Sequence, residues 1–138
     1  MRPLTVVFLA LAALGISGCA STTQRAMDSG NQLQLRSMQT RVFDSADRVA
    51  VLRTVVATLQ DLGFVIDQAD SDLGTVSATK LNQYLIKMTV TVHARNATSV
   101  SVRASARYNL QPIEDPAIYQ DFFTALEKSM FLKAQQVE

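Results

Sequence analysis

The clearest pattern in the chain is a strict alternation of apolar and polar residues in its second half. Ile86, Met88, Val90, Val92 and Ala94 alternate with Lys87, Thr89, Thr91, His93 and Arg95. Val100, Val102, Ala104, Ala106 and Tyr108 alternate with Ser101, Arg103, Ser105, Arg107 and Asn109. A period of two sends successive side chains to opposite faces of a sheet, so one face is predicted buried and the other wet. Asn96-Ala97-Thr98 between the two runs predicts a hairpin loop. Weaker alternation predicts a first strand over Met38 to Phe43 and a second over Phe64 to Asp67, with Phe64 and Ile66 facing one way. A third is predicted over Thr75 to Lys80, with Val76 and Ala78 inward. Asp70 to Gly74 reads as a turn, Leu81-Asn82-Gln83 as a short connection and Gln111 to Glu114 as a loop.

Two segments follow a helical period instead. From Ala46 to Leu62, Val49, Leu52, Val56 and Leu59 recur at three- and four-residue spacing, and Val55 and Leu62 widen the stripe. Asp44 or Ser45 offers an N-cap, and Asp47 in the first turn suits the helix dipole. Gly63 fits the left-handed position that stops a helix, with Phe64 folding back onto the last turn. The final helix starts at Asp115-Pro116, aspartate as N-cap and proline at the first helical position. Tyr119, Phe122, Phe123, Leu126 and Met130 form its stripe. Phe131 lies nearly opposite Phe122 at about 100° per residue. Two outcomes stay open: the helix ends near Met130 and turns Phe131 inward, the preferred one, or Phe131 is exposed and favours a partner contact.

Two amphipathic helices and one half-wet antiparallel sheet have one economical arrangement. The expected fold is α+β, a two-layer sandwich of about four to five antiparallel strands with both helices packed on one face, in the order β-α-β-β-β-β-α. No internal repeat is visible.

The N-terminus belongs to none of this. Arg2 precedes a run from Leu4 to Ile16 that is apolar except for Thr5 and Gly15. The run is shorter than the ~20 apolar residues a spanning helix needs and matches a secretory signal core. Ile16-Ser17-Gly18-Cys19 resembles the lipobox of bacterial lipoproteins. That resemblance implies a diacylglycerol on the Cys19 sulfur, cleavage before Cys19 and acylation of the new amine. Two or three acyl chains hold a protein on a membrane stably, where one is marginal. Ala20 follows the cysteine where an aspartate would signal inner-membrane retention, so the resemblance implies an outer-membrane location facing the periplasm. The organisation expected is a signal peptide over 1–18, a lipidated Cys19 with a flexible tether over 19–37, and a periplasmic α+β domain over 38–138. Ala20 to Ser37 is polar, and as coil it would span about 20–25 Å. Leu33 and Leu35 hint at order near its end.

The stretch from Thr40 to Lys80, with its helix, Leu-Gly-Phe stop, Asp-rich turn and Leu-Gly, is similar to small, mostly uncharacterised bacterial outer-membrane lipoproteins. Tyr119 to Leu132 resembles their terminal helix. The topology and periodicity are more loosely similar to the helix-grip domains of the BamC lipoprotein, which has two such domains; this likeness lends no functional residues.

Composition narrows the chemistry. The 138 residues are 48% hydrophobic with a formal net charge of +1. Without Arg2 the mature chain has 12 basic and 12 acidic side chains. No bulk attraction to nucleic acid follows, and the outer face lacks stacking aromatics. The one cysteine excludes an internal disulfide. His93 is the only histidine and falls on a polar strand face, where it reads as a surface residue. Three or four metal ligands of the zinc kind are not assembled by the pattern, and no cofactor motif is present. Asp67, Asp70 and Asp72 cluster near a turn but lack the calcium-loop string. Asn96-Ala97-Thr98 matches a glycosylation sequon and reads here as loop chemistry. Catalytic residues are not identified.

The outward sheet face is the candidate site. Lys87, His93, Arg95, Arg103 and Arg107 share it with Thr89, Thr91, Ser101 and Ser105, and no acid of the hairpin lies among them. It can accept an acidic or polar partner surface, or it is a solvated face that discourages sticky edges. The expected function is that of a non-enzymatic accessory or binding subunit of an envelope assembly for barrel insertion, secretion or efflux. Its expected partners are the membrane, through the lipid, and an envelope protein. The alternative is a module binding a small molecule, lipid or cell-wall fragment between helices and sheet, with Ala78, Ala94, Ala104 and Ala106 leaving the room. A hydrolase would need a nucleophile, base or metal cluster that the sequence does not supply.

Overall fold

The computed structural model describes residues 21–136, with side chains from 29 to 135. The signal-peptide stretch and Cys19 lie outside the described residues. Contacts divide the chain after Gln34.

The elements are α1 (Ser21–Met38), β1 (Thr40–Asp44), α2 (Arg48–Asp61), β2 (Val65–Asp70), β3 (Thr75–Asn82), β4 (Tyr84–Ala94), β5 (Ser99–Tyr108), β6 (Gln111–Pro112) and α3 (Pro116–Gln136). The fold class is as expected, α+β with an antiparallel sheet. Helix α1 replaces the coil read from Ala20 to Ser37. Its Gln, Arg and Leu residues are sound helix formers, and a polar composition does not separate a solvated helix from coil. Strand β6 replaces part of the loop read from Gln111.

The strands run in the order β1-β5-β4-β3-β2, with the two-residue β6 also on β5. β2 to β5 form a meander, and α2 carries the chain from β1 at one edge to β2 at the other. On β4 and β5 the two alternating runs meet in register: Met88 opposite Ala106, Val90 opposite Ala104 and Val92 opposite Val102. These inward residues form one core with Leu52, Val55, Leu59, Tyr119, Phe122, Phe123 and Leu126.

The stripe of α2 is turned from the one expected. Val49 is exposed, while Val51, Thr54 and Thr58 are buried beside Leu52, Val55 and Leu59. α2 packs against both the sheet and α3, which widens its buried face. The two threonines fit there because their hydroxyls donate to carbonyls four residues back, Thr54 Oγ1 to Ala50 O at 2.9 Å and Thr58 Oγ1 to Thr54 O at 2.8 Å. The N-cap is Asp47 rather than Asp44 or Ser45: its carboxylate accepts from Ala50 N at 2.9 Å. The stop is a Schellman turn, with Gly63 at φ +86°, Gly63 N on Gln60 O and Phe64 N on Leu59 O. Lys80 Nζ donates to the freed Leu62 carbonyl at 2.7 Å.

Asp115 caps α3 as expected, accepting from Ala117 N at 2.9 Å. The helix does not end near Met130; it continues to Gln136 and leaves Phe131 63% exposed, so the inward turn of Phe131 does not occur. Lys133, Ala134, Gln135 and Gln136 are good helix formers and extend it.

Candidate functional site

The outer face of the sheet is built by the strand periodicity itself. Inward residues are used up by packing, so the alternate positions of five strands are left facing solvent. Register places Lys87 directly opposite Arg107, Thr89 opposite Ser105, Thr91 opposite Arg103 and His93 opposite Ser101. β3 adds Thr79, Ser77 and Thr75 in the same rows, and β1 adds Thr40 opposite Arg103. Four of the five candidate residues therefore share one face. Arg95 lies just past the end of β4, where its backbone N–H donates to Ser99 O at 2.9 Å. His93, Arg95, Arg103 and Arg107 are exposed and Lys87 is half-buried.

The face is less uniformly basic than the hairpin alone suggested. A β-bulge between Ile66 and Gln68 leaves Asp67 without a partner in the ladder. Its carboxylate lies on the outer side, where it accepts from Thr79 Oγ1 at 2.6 Å and lies 3.8 Å from Lys87 Nζ. Asp67 is outward by the same alternation that turns Phe64 and Ile66 inward, and the bulge shifts parity only from Gln68 onward; what the sequence does not show is that β3 brings β2 beside β4, where Asp67 meets Lys87. Arg103 and Arg107 remain as the strong cations of the face.

The concave part of the face is a groove of about 370 Å³ lined by Lys87, Thr89, Ser105, Arg107, Leu110 and Pro112. Two cations, two hydroxyls and an apolar wall converge there. Leu110, in the β5–β6 turn, is 87% exposed. Two residues beyond Lys87 on the same face, Leu85 pairs with Leu81, and these are 50% and 79% exposed. Sequence reasoning missed this leucine cluster. Leu81 falls in a stretch read as a connection and Leu110 between the second alternating run and the loop read from Gln111, and a lone apolar residue at such a place carries no sign of exposure.

The other face offers surface grooves where the layers meet at their ends. One of about 360 Å³ lies among Phe43, Asp44, Val51, Thr54, Met130 and Lys133. Another of about 280 Å³ lies among Phe64, Lys80, Met88, Asp115, Ile118 and Asp121. Between the layers, Ala78, Ala104 and Ala106 are buried and in contact with the core; Ala94, at the end of β4, is exposed rather than inward. The small residues let the helices approach the sheet.

The remaining candidates serve the fold. Asp70 Oδ1 accepts from Asp72 N and Leu73 N, both at 2.9 Å, which shapes the turn before Gly74. Asn96 Oδ1 accepts from Thr98 N and Ser99 Oγ and closes the β4–β5 loop. Among the described residues no three His, Cys, Asp or Glu side chains converge on a point where a metal would sit. No helix among them is long and apolar enough to cross a membrane. No protein-family model matches the chain, and no curated protein matches it.

Proposed function

We propose that this chain is a lipid-anchored lipoprotein of the outer membrane, facing the periplasm, and a non-enzymatic binding subunit of an envelope assembly. The N-terminal signal ending in Ile16-Ser17-Gly18-Cys19 supports the anchor. The observation that carries the binding role is the groove on the outer sheet face, where Lys87 and Arg107 stand beside exposed Leu110. Cations next to uncovered leucines suit a partner surface that is both acidic and apolar. Burying the leucines drives association, and the charges set its orientation and rate.

The test is crosslinking in the native cells followed by fractionation. Cys19→Ser is expected to shift the protein out of the membrane fraction. Arg103→Glu with Arg107→Glu is expected to stay in the membrane fraction, fold normally and lose the crosslinked partner. Cys19→Ser persisting in membranes ends the anchoring reading, and undiminished crosslinking of the double variant removes the sheet face.

A further inference from the structure

The two edges of the sheet differ. At the β2 edge the bulge at Asp67 breaks the ladder, and Asp67 and Asp70 add charge, two devices that discourage a further strand. At the other edge, β6 occupies β5 at Arg107 and Tyr108. That leaves β1, which pairs with β5 in unbroken register from Thr40 to Asp44, and among the described strands none lies on its far side.

Which backbone groups face outward is set by the ladder. Gln39 O accepts from Ala104 N at 2.8 Å, so Gln39, Arg41 and Phe43 turn their N–H and C=O toward β5. Antiparallel alternation then turns those of Thr40, Val42 and Asp44 away from it. The same three residues carry their side chains on the outer face, where Val42 is 45% exposed.

We propose that β1 pairs antiparallel with β1 of a second copy of this chain, about a two-fold axis through Val42. The outward groups allow only registers that place even-numbered residues opposite even-numbered ones. Centring on Val42 sets Thr40 opposite Asp44, Arg41 opposite Phe43 and Val42 opposite itself, and it uses all five residues with about six interchain hydrogen bonds. The neighbouring register centred on Arg41 stacks like charges, which is unfavourable. The one centred on Phe43 leaves Thr40 beyond the end of the partner strand. In the favoured register threonine hydroxyl meets carboxylate and valine meets valine, while Arg41 keeps its own Glu127 and its place over the Phe123 ring on the inner face, so no like charges are stacked. The result is one continuous sheet whose two outer faces point the same way, doubling the basic surface.

The test uses the purified full chain carrying Cys19→Ser, which makes an engineered thiol the only one. Val42→Cys is expected to form a disulfide dimer on mild oxidation, since paired Cα atoms about 5.5 Å apart lie in the disulfide range. Thr40→Cys alone is expected to form no interchain disulfide, and Thr40→Cys mixed with Asp44→Cys to form one. Val42→Pro deletes one outward N–H and no bond to β5, so it is expected to sediment as a folded monomer at concentrations where the parent dimerises. A Val42→Cys chain that stays monomeric overturns the proposal, as does Thr40→Cys coupling to itself equally well. A parent that sediments as a monomer up to about 1 mM, the weak end of the affinity range, overturns it as well.

Discussion

Tyr119 shows what single residues contribute to this fold. Its ring fills the core and its hydroxyl serves three distant segments: it donates to Ile113 O and accepts from Gln39 Nε2 at 3.1 Å and Ala106 N at 3.3 Å. The hydroxyl thereby joins the start of β1, the end of β5 and the loop before α3. Tyr119→Phe keeps the ring and strands two buried donors, and an unmet buried donor costs about 1–3 kcal/mol. Urea denaturation is expected to show that loss in midpoint with an unchanged slope; a variant as stable as the parent would mean that water replaces the hydroxyl. Tyr119 was readable from the sequence as part of an apolar stripe. Gln39 was not, because nothing local marks a glutamine as buried by a partner 80 residues away. Thr54 and Thr58 were missed for a related reason: a hydroxyl bonded to its own helix behaves as an apolar group, while pattern reading counts it as polar. Of the site, the cations were legible because strand parity places them. Asp67 was not placed there because its meeting with Lys87 depends on the non-local order β2-β3-β4, which no local pattern encodes.

Among the elements, those specified by their own sequence were read well. The β4–β5 hairpin follows from alternation over two long runs, and its register follows from the loop between them. The stop of α2 follows from Gly63, whose φ of +86° a side chain rarely adopts. Helix α1 is the opposite case. It has the length of a stable helix but a polar sequence, and Leu33 stands exposed on it, so no stripe announces it. An 18-residue helix is about 27 Å long, a stiffer spacer than the coil the composition suggested. Gly30 offers a clean check, because a Cβ added there meets nothing within 4 Å. Gly30→Ala is expected to stabilise α1 by about 0.5–1 kcal/mol, seen as helical circular dichroism that persists to higher temperature. An unchanged spectrum would return the segment to coil.

For the molecule as a whole, the two-layer sandwich was legible and the strand order was not. Packing amphipathic faces together fixes the layers, whereas the meeting of β1 with β5 depends on a crossover by α2 that no local pattern encodes. The same non-local pairing decides where the folded unit begins. The contact boundary falls at Leu35, not at the first strand. Leu35 packs against the core, its carbonyl accepts from Gln39 N at 3.0 Å, and Gln39 in turn holds Tyr119 and Ala104. A chain beginning at Leu35 keeps all of these groups and is expected to unfold in one transition within about 1 kcal/mol of the parent. A chain beginning at Thr40 loses a partly buried leucine and three hydrogen bonds, and is expected to lose about 2–4 kcal/mol. Thermal and denaturant unfolding of the two truncations measures the difference. Equal losses would mean that residues before Leu35 contribute to the core, and equal stability would mean that the sheet closes without Gln39.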